Sequence, residues 1–116
     1  MLFTWLSTVR SRLETLRETL VEHFHEEETG PFGPQLPPGS PHLSGRVADL
    51  LSQHPVILRS IDAALATAGR LSPDDLGAHD ELKGSVHLLI ATLRRHEAAE
   101  NELVLDAVWD DYGGGD

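Results

Sequence analysis

His23 and Glu27 stand four residues apart, and so do His96 and Glu100. On an α-helix a step of four returns to nearly the same face, about 40° further round, so each pair sets an imidazole beside a carboxylate. Both pairs fall on apolar stripes: Leu16, Leu20, His23 and Glu27 in the first, Leu89, Leu93, His96, Glu100 and Leu103 in the second. His54 shares a stripe with Leu50, Leu58 and Ile61. Taken alone, a His in such a stripe reads as a hydrogen-bonded core residue, and a His-x-x-x-Glu pair as a solvated one. Five polar groups turned toward one core are a different matter, because without partners they would cost several kcal/mol. A metal cation would satisfy all five, since neutral imidazole and carboxylate are its ligands. Three His with two carboxylates form a mixed N/O set suited to non-heme iron, with manganese or zinc as competitors.

Other chemistries find little support. The chain has no Cys, which excludes disulfides, thiolate metal sites and thiol nucleophiles. With 9 Lys+Arg against 19 Asp+Glu, the formal net charge is -10, the wrong sign for nucleic acid or an anionic membrane surface. No Ser-His-Asp arrangement or phosphate-cradling glycine loop is present, and Gly113 to Gly115 follow a helical stretch instead of opening one. No acid or base stands beyond the would-be ligands, so the expectation is a binding protein and not an enzyme. His25, His42, His79 and His87 read as surface or loop residues, with His87 the one placed to support a ligand. Of Glu26, Glu27 and Glu28, Glu27 alone is expected to face inward. Glu22 and His25 have Glu-x-x-His spacing without a second copy, and the helix from His96 lacks the second His of a zinc-protease motif.

The elements that must position these residues are helices. The 116 residues amount to one domain. Five of its seven Pro crowd into the Pro/Gly-rich stretch 30–42, where neither helix nor strand can persist. A second break comes at Gly69-Arg70-Leu71-Ser72-Pro73, with Gly69 suited to a helix C-terminus, Ser72 to an N-cap and Pro73 to a first helical turn. Between the breaks, apolar residues recur in steps of three and four, and no segment alternates with period two. The expectation is an all-α chain of three long helices, about 2–28, 43–68 and 74–109, with Pro55 kinking or restarting the second near 54–55. No apolar run reaches the roughly 20 residues of a membrane span, and the start lacks the basic region of a signal peptide, so a cytoplasmic protein is expected.

Leu20-Val21-Glu22-His23-Phe24-His25-Glu26-Glu27-Glu28-Thr29-Gly30-Pro31-Phe32 resembles a helix end of the hemerythrin-like (HHE cation-binding) family, written Leu-x-x-His-Phe-x-x-Glu-Glu-x-x-Leu-Phe. Leu93 to Leu103 resembles that family's closing helix, Asp111 to Asp116 the tail of one bacterial subgroup, and Ser52 to Leu58 a helix that starts with a ligand His. The resemblance spans about Leu13 to the C-terminus. It implies an up-down helical bundle around an oxo- or hydroxo-bridged di-iron centre that binds or senses O2, NO or a related small oxidant reversibly. His23, His54 and His96 would be terminal ligands, and Glu27 and Glu100 the bridges.

Two departures shape the expectation further. The family has four helices, the first bearing a His, whereas this chain opens on what resembles the second. Where a further ligand His is usual, four residues after His54, stands Leu58. Either a helix precedes Met1, or two chains pair to complete a bundle, or the site is partial and holds one metal or none. Leu2, Phe3, Trp5, Leu6 and Val9 form the apolar face on which a homodimer is expected. The alternative from a different class is a metal-free helical module that dimerises or docks a partner helix.

Overall fold

A computed structural model describes residues 2–30, 41–72 and 74–113. Most of the Pro/Gly-rich stretch, Pro73 and the last three residues lie outside it, as do the expectations placed on them. Three α-helices account for nearly everything described: α1 (Leu2–Thr29), α2 (Ser44–Arg70) and α3 (Leu76–Gly113), with a 3₁₀ turn at Pro41–Leu43 leading into α2. No strand occurs among the described residues.

Each helix forms because its buried positions follow the helical repeat. In α2 they are Val47, Leu50, His54, Ile57, Ile61, Ala64 and Ala68, an unbroken alternation of three- and four-residue steps. In α1 they are Leu6, Leu13, Leu20, Phe24 and Glu27. In α3, Leu82, Leu89, His96 and Leu103 recur every seven residues. α2 lies between the other two and packs against both. At 38 residues, α3 runs for about 57 Å, which makes the molecule a rod of 64 × 20 × 19 Å. Two exposed ion pairs hold the rods in register: Arg17 with Asp62 at 2.6 Å between α1 and α2, and Arg46 with Asp106 at 2.7 Å between α2 and α3. Exposed pairs of this kind add little to stability.

The apolar core is divided in two. One cluster joins Leu6, Leu13, Leu20 and Phe24 of α1 to Ile57, Ile61, Ala64 and Ala68 of α2 and Leu82 and Leu89 of α3. The other, beyond the end of α1, consists of Leu43, Val47, Leu50 and Leu103. Between them along α2 and α3 come His54 and His96.

Several local expectations are corrected. α2 runs unbroken through Pro55, whose ring is on the exposed face, where water can reach the hydrogen-bonding group it leaves unpaired. Gly69 is inside the helix and not beyond it. α2 ends after Arg70 because Leu71 turns extended, at φ -70° and ψ 131°. α3 starts at Leu76 and is capped by Asp75, whose Oδ1 accepts a hydrogen bond from the Ala78 amide at 3.0 Å. Ser72 instead accepts from the amide of Asp74 at 3.3 Å, in the turn before the helix. The expected apolar face at the start of α1 is not free either. Leu6 is buried in the core, and Trp5 and Val9 pack against it, while the side chains of Leu2 and Phe3 lie outside the description.

Candidate metal centre

The five residues singled out by type and spacing meet in one place. On α1, His23 Nε2 is 3.0 Å from Glu27 Oε1 and 3.8 Å from Glu100 Oε1 of α3. From α2, His54 Nε2 comes within 3.8 Å of the same Glu27 oxygen. On α3, His96 Nε2 is 3.4 Å from Glu100 Oε2. Two sets of three follow, each with its ligand atoms within 4.8 Å of one another: Glu27, His54 and His96, and His23, Glu27 and Glu100. Glu27 belongs to both. Metal–ligand bonds of about 2.1 Å put neighbouring ligand atoms about 3 Å apart, so the 3.0 Å contact already fits and the contacts at 3.8 Å must close by less than 1 Å.

Phe24 forms one wall. Its ring stacks on His54 with centroids 3.8 Å apart and planes 4° from parallel, and it meets His96 edge-on at 5.7 Å. Side chains from α1 and α3, among them Leu16, Leu20 and Leu93, line a cleft of about 300 Å³ that opens beside His23, His96 and Glu100.

The protonation pattern follows from the hydrogen bonds. His54 Nδ1 is 3.0 Å from Glu28 Oε2, and His96 Nδ1 is 2.7 Å from Gln53 Oε1. A carboxylate and an amide oxygen can only accept, so both Nδ1 atoms carry the hydrogen, and in the neutral rings both Nε2 atoms present a lone pair. These lone pairs are directed at carboxylates. His54 Nε2, His96 Nε2 and Glu27 Oε1 are buried; the two ring nitrogens have no hydrogen-bond partner, and Glu27 Oε1 has only the ion-pair contact with His23 at 3.0 Å. Once Glu27 is ionised, three acceptors face one point, an arrangement that a cation would satisfy.

The titration behaviour has the same cause. Burial pushes the Glu27 carboxyl up from 4.5 to about 8, reinforced by its hydrogen bond with Glu100 and by the charges of Glu100 and Glu28. The His96 imidazolium is disfavoured by burial, which outweighs the attraction of Glu100 and acts together with repulsion from His54 and His23. Without metal, Glu27 therefore keeps a proton at neutral pH that the unfolded chain would release. Between pH 6.5 and 8 the native state binds the extra proton, so stability falls as pH rises. Below 6.5, His96 works the other way, because the unfolded chain then takes up a proton that the native imidazole refuses. The melting temperature of the protein in EDTA is thus expected to decline steadily from pH 6.5 to 8.5. Scanning calorimetry across that range checks it, and a flat or rising profile contradicts the account.

No family model matches the chain, and no curated protein or solved structure proves significantly similar to it. What the site does must therefore be read from its own side chains.

The sequence reasoning missed two participants. Glu28, expected on a solvated face, is half-exposed but reaches His54. Gln53 drew no attention, yet it fixes the ring of His96. Their signal lies in the rotation of α1 and α3 against α2, which no single-helix pattern contains. Away from the site, the structure also corrects His79, expected at the surface. It is buried beneath Trp5, with ring centroids 5.3 Å apart and neither ring nitrogen hydrogen-bonded. His25, His42 and His87 are exposed as expected, and His87 supports no ligand ring.

Proposed function

We propose that this bundle is a non-heme iron protein of hemerythrin-like type, with His23, His54 and His96 as its imidazole ligands and Glu27 and Glu100 as its carboxylates, Glu27 being shared between two iron positions. The reading is supported above all by the buried, partnerless Nε2 atoms of His54 and His96 converging with Glu27 Oε1. Holding each ring by its far nitrogen is how proteins aim an imidazole at a metal. The donor set suits iron, and manganese or zinc are its rivals. Iron held this way supplies open coordination positions for O2, NO or a related small oxidant, which the protein would bind or sense reversibly. The cleft between α1 and α3 gives such a molecule its route. Glu27 must release its proton to the solvent for metal to bind, so affinity should rise with pH toward 8.

Expression with added iron, followed by mass-spectrometric metal analysis and absorption spectroscopy for a bridged ferric pair, tests the proposal. Bound iron near two per chain with near-ultraviolet charge-transfer bands is the expected result, and wild-type protein free of iron, manganese and zinc sinks it.

One observation favours a second reading, a metal-free helical module that pairs with another copy of itself. Along α3, Leu88, Leu105 and Trp109 are 64%, 68% and 76% exposed, with Ile90, Val104 and Val108 less so. In that case chelators would leave melting and self-association unchanged, and His23→Ala and His96→Ala would alter neither. No described helix is long and apolar enough to cross a membrane, so these side chains are not explained by a span.

A further inference from the structure

The two sets of ligands that share Glu27 are unlike. In the first, Glu27, His54 and His96 are all buried. Two imidazoles and one carboxylate are the donor set that holds a single non-heme iron with positions left open. Both rings are gripped at Nδ1 before any metal arrives, one by Glu28 at 3.0 Å and the other by Gln53 at 2.7 Å. Phe24 blocks the rotation of His54 from its flat side.

The second set, His23, Glu27 and Glu100, faces the cleft. The His23 side chain is 52% exposed, and among the described residues no side chain grips its other ring nitrogen. Binding there must order a half-exposed imidazole whose far nitrogen no described side chain holds. Ordering a free side chain costs roughly 0.5–1.5 kcal/mol, a cost that the gripped rings of the first set have already met in folding.

Resting on the iron-binding reading, we infer that metal enters in two unequal steps. The buried Glu27–His54–His96 position, preset by Glu28 and Gln53, takes the first ion tightly and holds it alone. The His23–Glu27–Glu100 position takes a second ion weakly and gives it up to the cleft. One-metal and two-metal forms of the protein would then exchange according to how much metal is free. Glu28 and Gln53 act through the histidines and are positioning residues. Because Glu28 is a carboxylate and Gln53 a neutral amide, His54 is made the stronger donor of the two.

The test is an anaerobic titration of the metal-free full chain with Fe(II), repeated with Co(II) as a visible-absorption probe, with equilibrium dialysis giving the stoichiometry. The first equivalent should bind at least tenfold more tightly than the second and develop its own cobalt spectrum. Gln53→Ala should weaken the first step by about 10- to 100-fold, and Gln53→Glu, which keeps an acceptor, should restore it. His23→Ala should remove the second equivalent and leave one ion bound. Far-ultraviolet circular dichroism of each metal-free variant separates a lost ligand from a lost fold. Uptake of two ions in a single step of uniform affinity overturns the inference but leaves the iron-binding reading standing. So does equal weakening of both steps by Gln53→Ala in a variant of normal helicity. Failure of the wild type to take up either metal overturns the iron-binding reading and this inference with it.

Discussion

Glu27→Gln is expected to abolish metal uptake and, at the same time, to stabilise the metal-free protein at pH 8. The residue is the one ligand common to both sets of three, so its loss removes a donor from each position at once. Loss of a shared first ligand should exceed the 10- to 100-fold that removing a supporting hydrogen bond costs, and titration with iron should show no binding in the range where wild type saturates. The stability gain has a separate origin. A carboxyl buried at 6% exposure beside Glu100 and Glu28 must ionise as pH approaches 8, against its surroundings. Glutamine has the same shape and never ionises. The variant's melting temperature in EDTA should therefore match that of wild type only below pH 4.5, where Glu27 is protonated in both the native and the unfolded state, and exceed it at pH 8.5. A variant less stable than wild type at both pH values would show that Glu27 is a structural group and not one strained in the service of a cation. Groups of this kind, unfavourable to the fold yet chemically matched to one another, are a common mark of functional sites.

Ile61→Ala should be the most damaging single truncation in the apolar core. Ile61 has no exposed surface, and it belongs to α2, the helix that packs against both others. Removing its outer carbons leaves a cavity that neighbouring helices cannot collapse into without breaking their register, at a cost of about 2–5 kcal/mol. In a domain of this size each kcal/mol moves the midpoint by roughly 4 °C, so the melting temperature should drop by roughly 10–20 °C. Leu105→Ala provides the contrast. Its side chain is 68% exposed near the end of α3, and its removal should change stability by less than about 0.5 kcal/mol. Thermal unfolding monitored by circular dichroism distinguishes the two. Comparable losses at both positions would mean that α3 is covered by another surface in solution.

How much was legible from the residues alone differs by level. Helix existence was plain, because three- and four-residue steps persist through each segment and proline density interrupts them only where a helix ends. Helix ends were harder to place. Ser72-Pro73-Asp74-Asp75 offers several caps, and only the folded chain shows that Asp75 is the one whose carboxylate accepts from the Ala78 amide. Pro55 leaves α2 unbroken for a related reason: a proline weighs on a helix according to which face it occupies, and that face is set by packing.

The chemistry divides along the same line. Four-residue spacing on a helix is enough to place His23 beside Glu27 and His96 beside Glu100, because that distance is local and the backbone repeat sets it. The apolar neighbours of His54 were likewise enough to turn it inward. Sequence could not decide which acceptor grips which ring, since Glu28 and Gln53 reach their histidines across helix boundaries, 26 and 43 residues away along the chain. Nor could it foresee the burial of His79, which depends on Trp5 of another helix coming to rest over it. Types and spacing singled out the candidate ligands, since a helix carries its own geometry. The tertiary structure alone decided that those ligands form one buried and one open set, since burial and hydrogen bonding across helices exist only once the rods are packed.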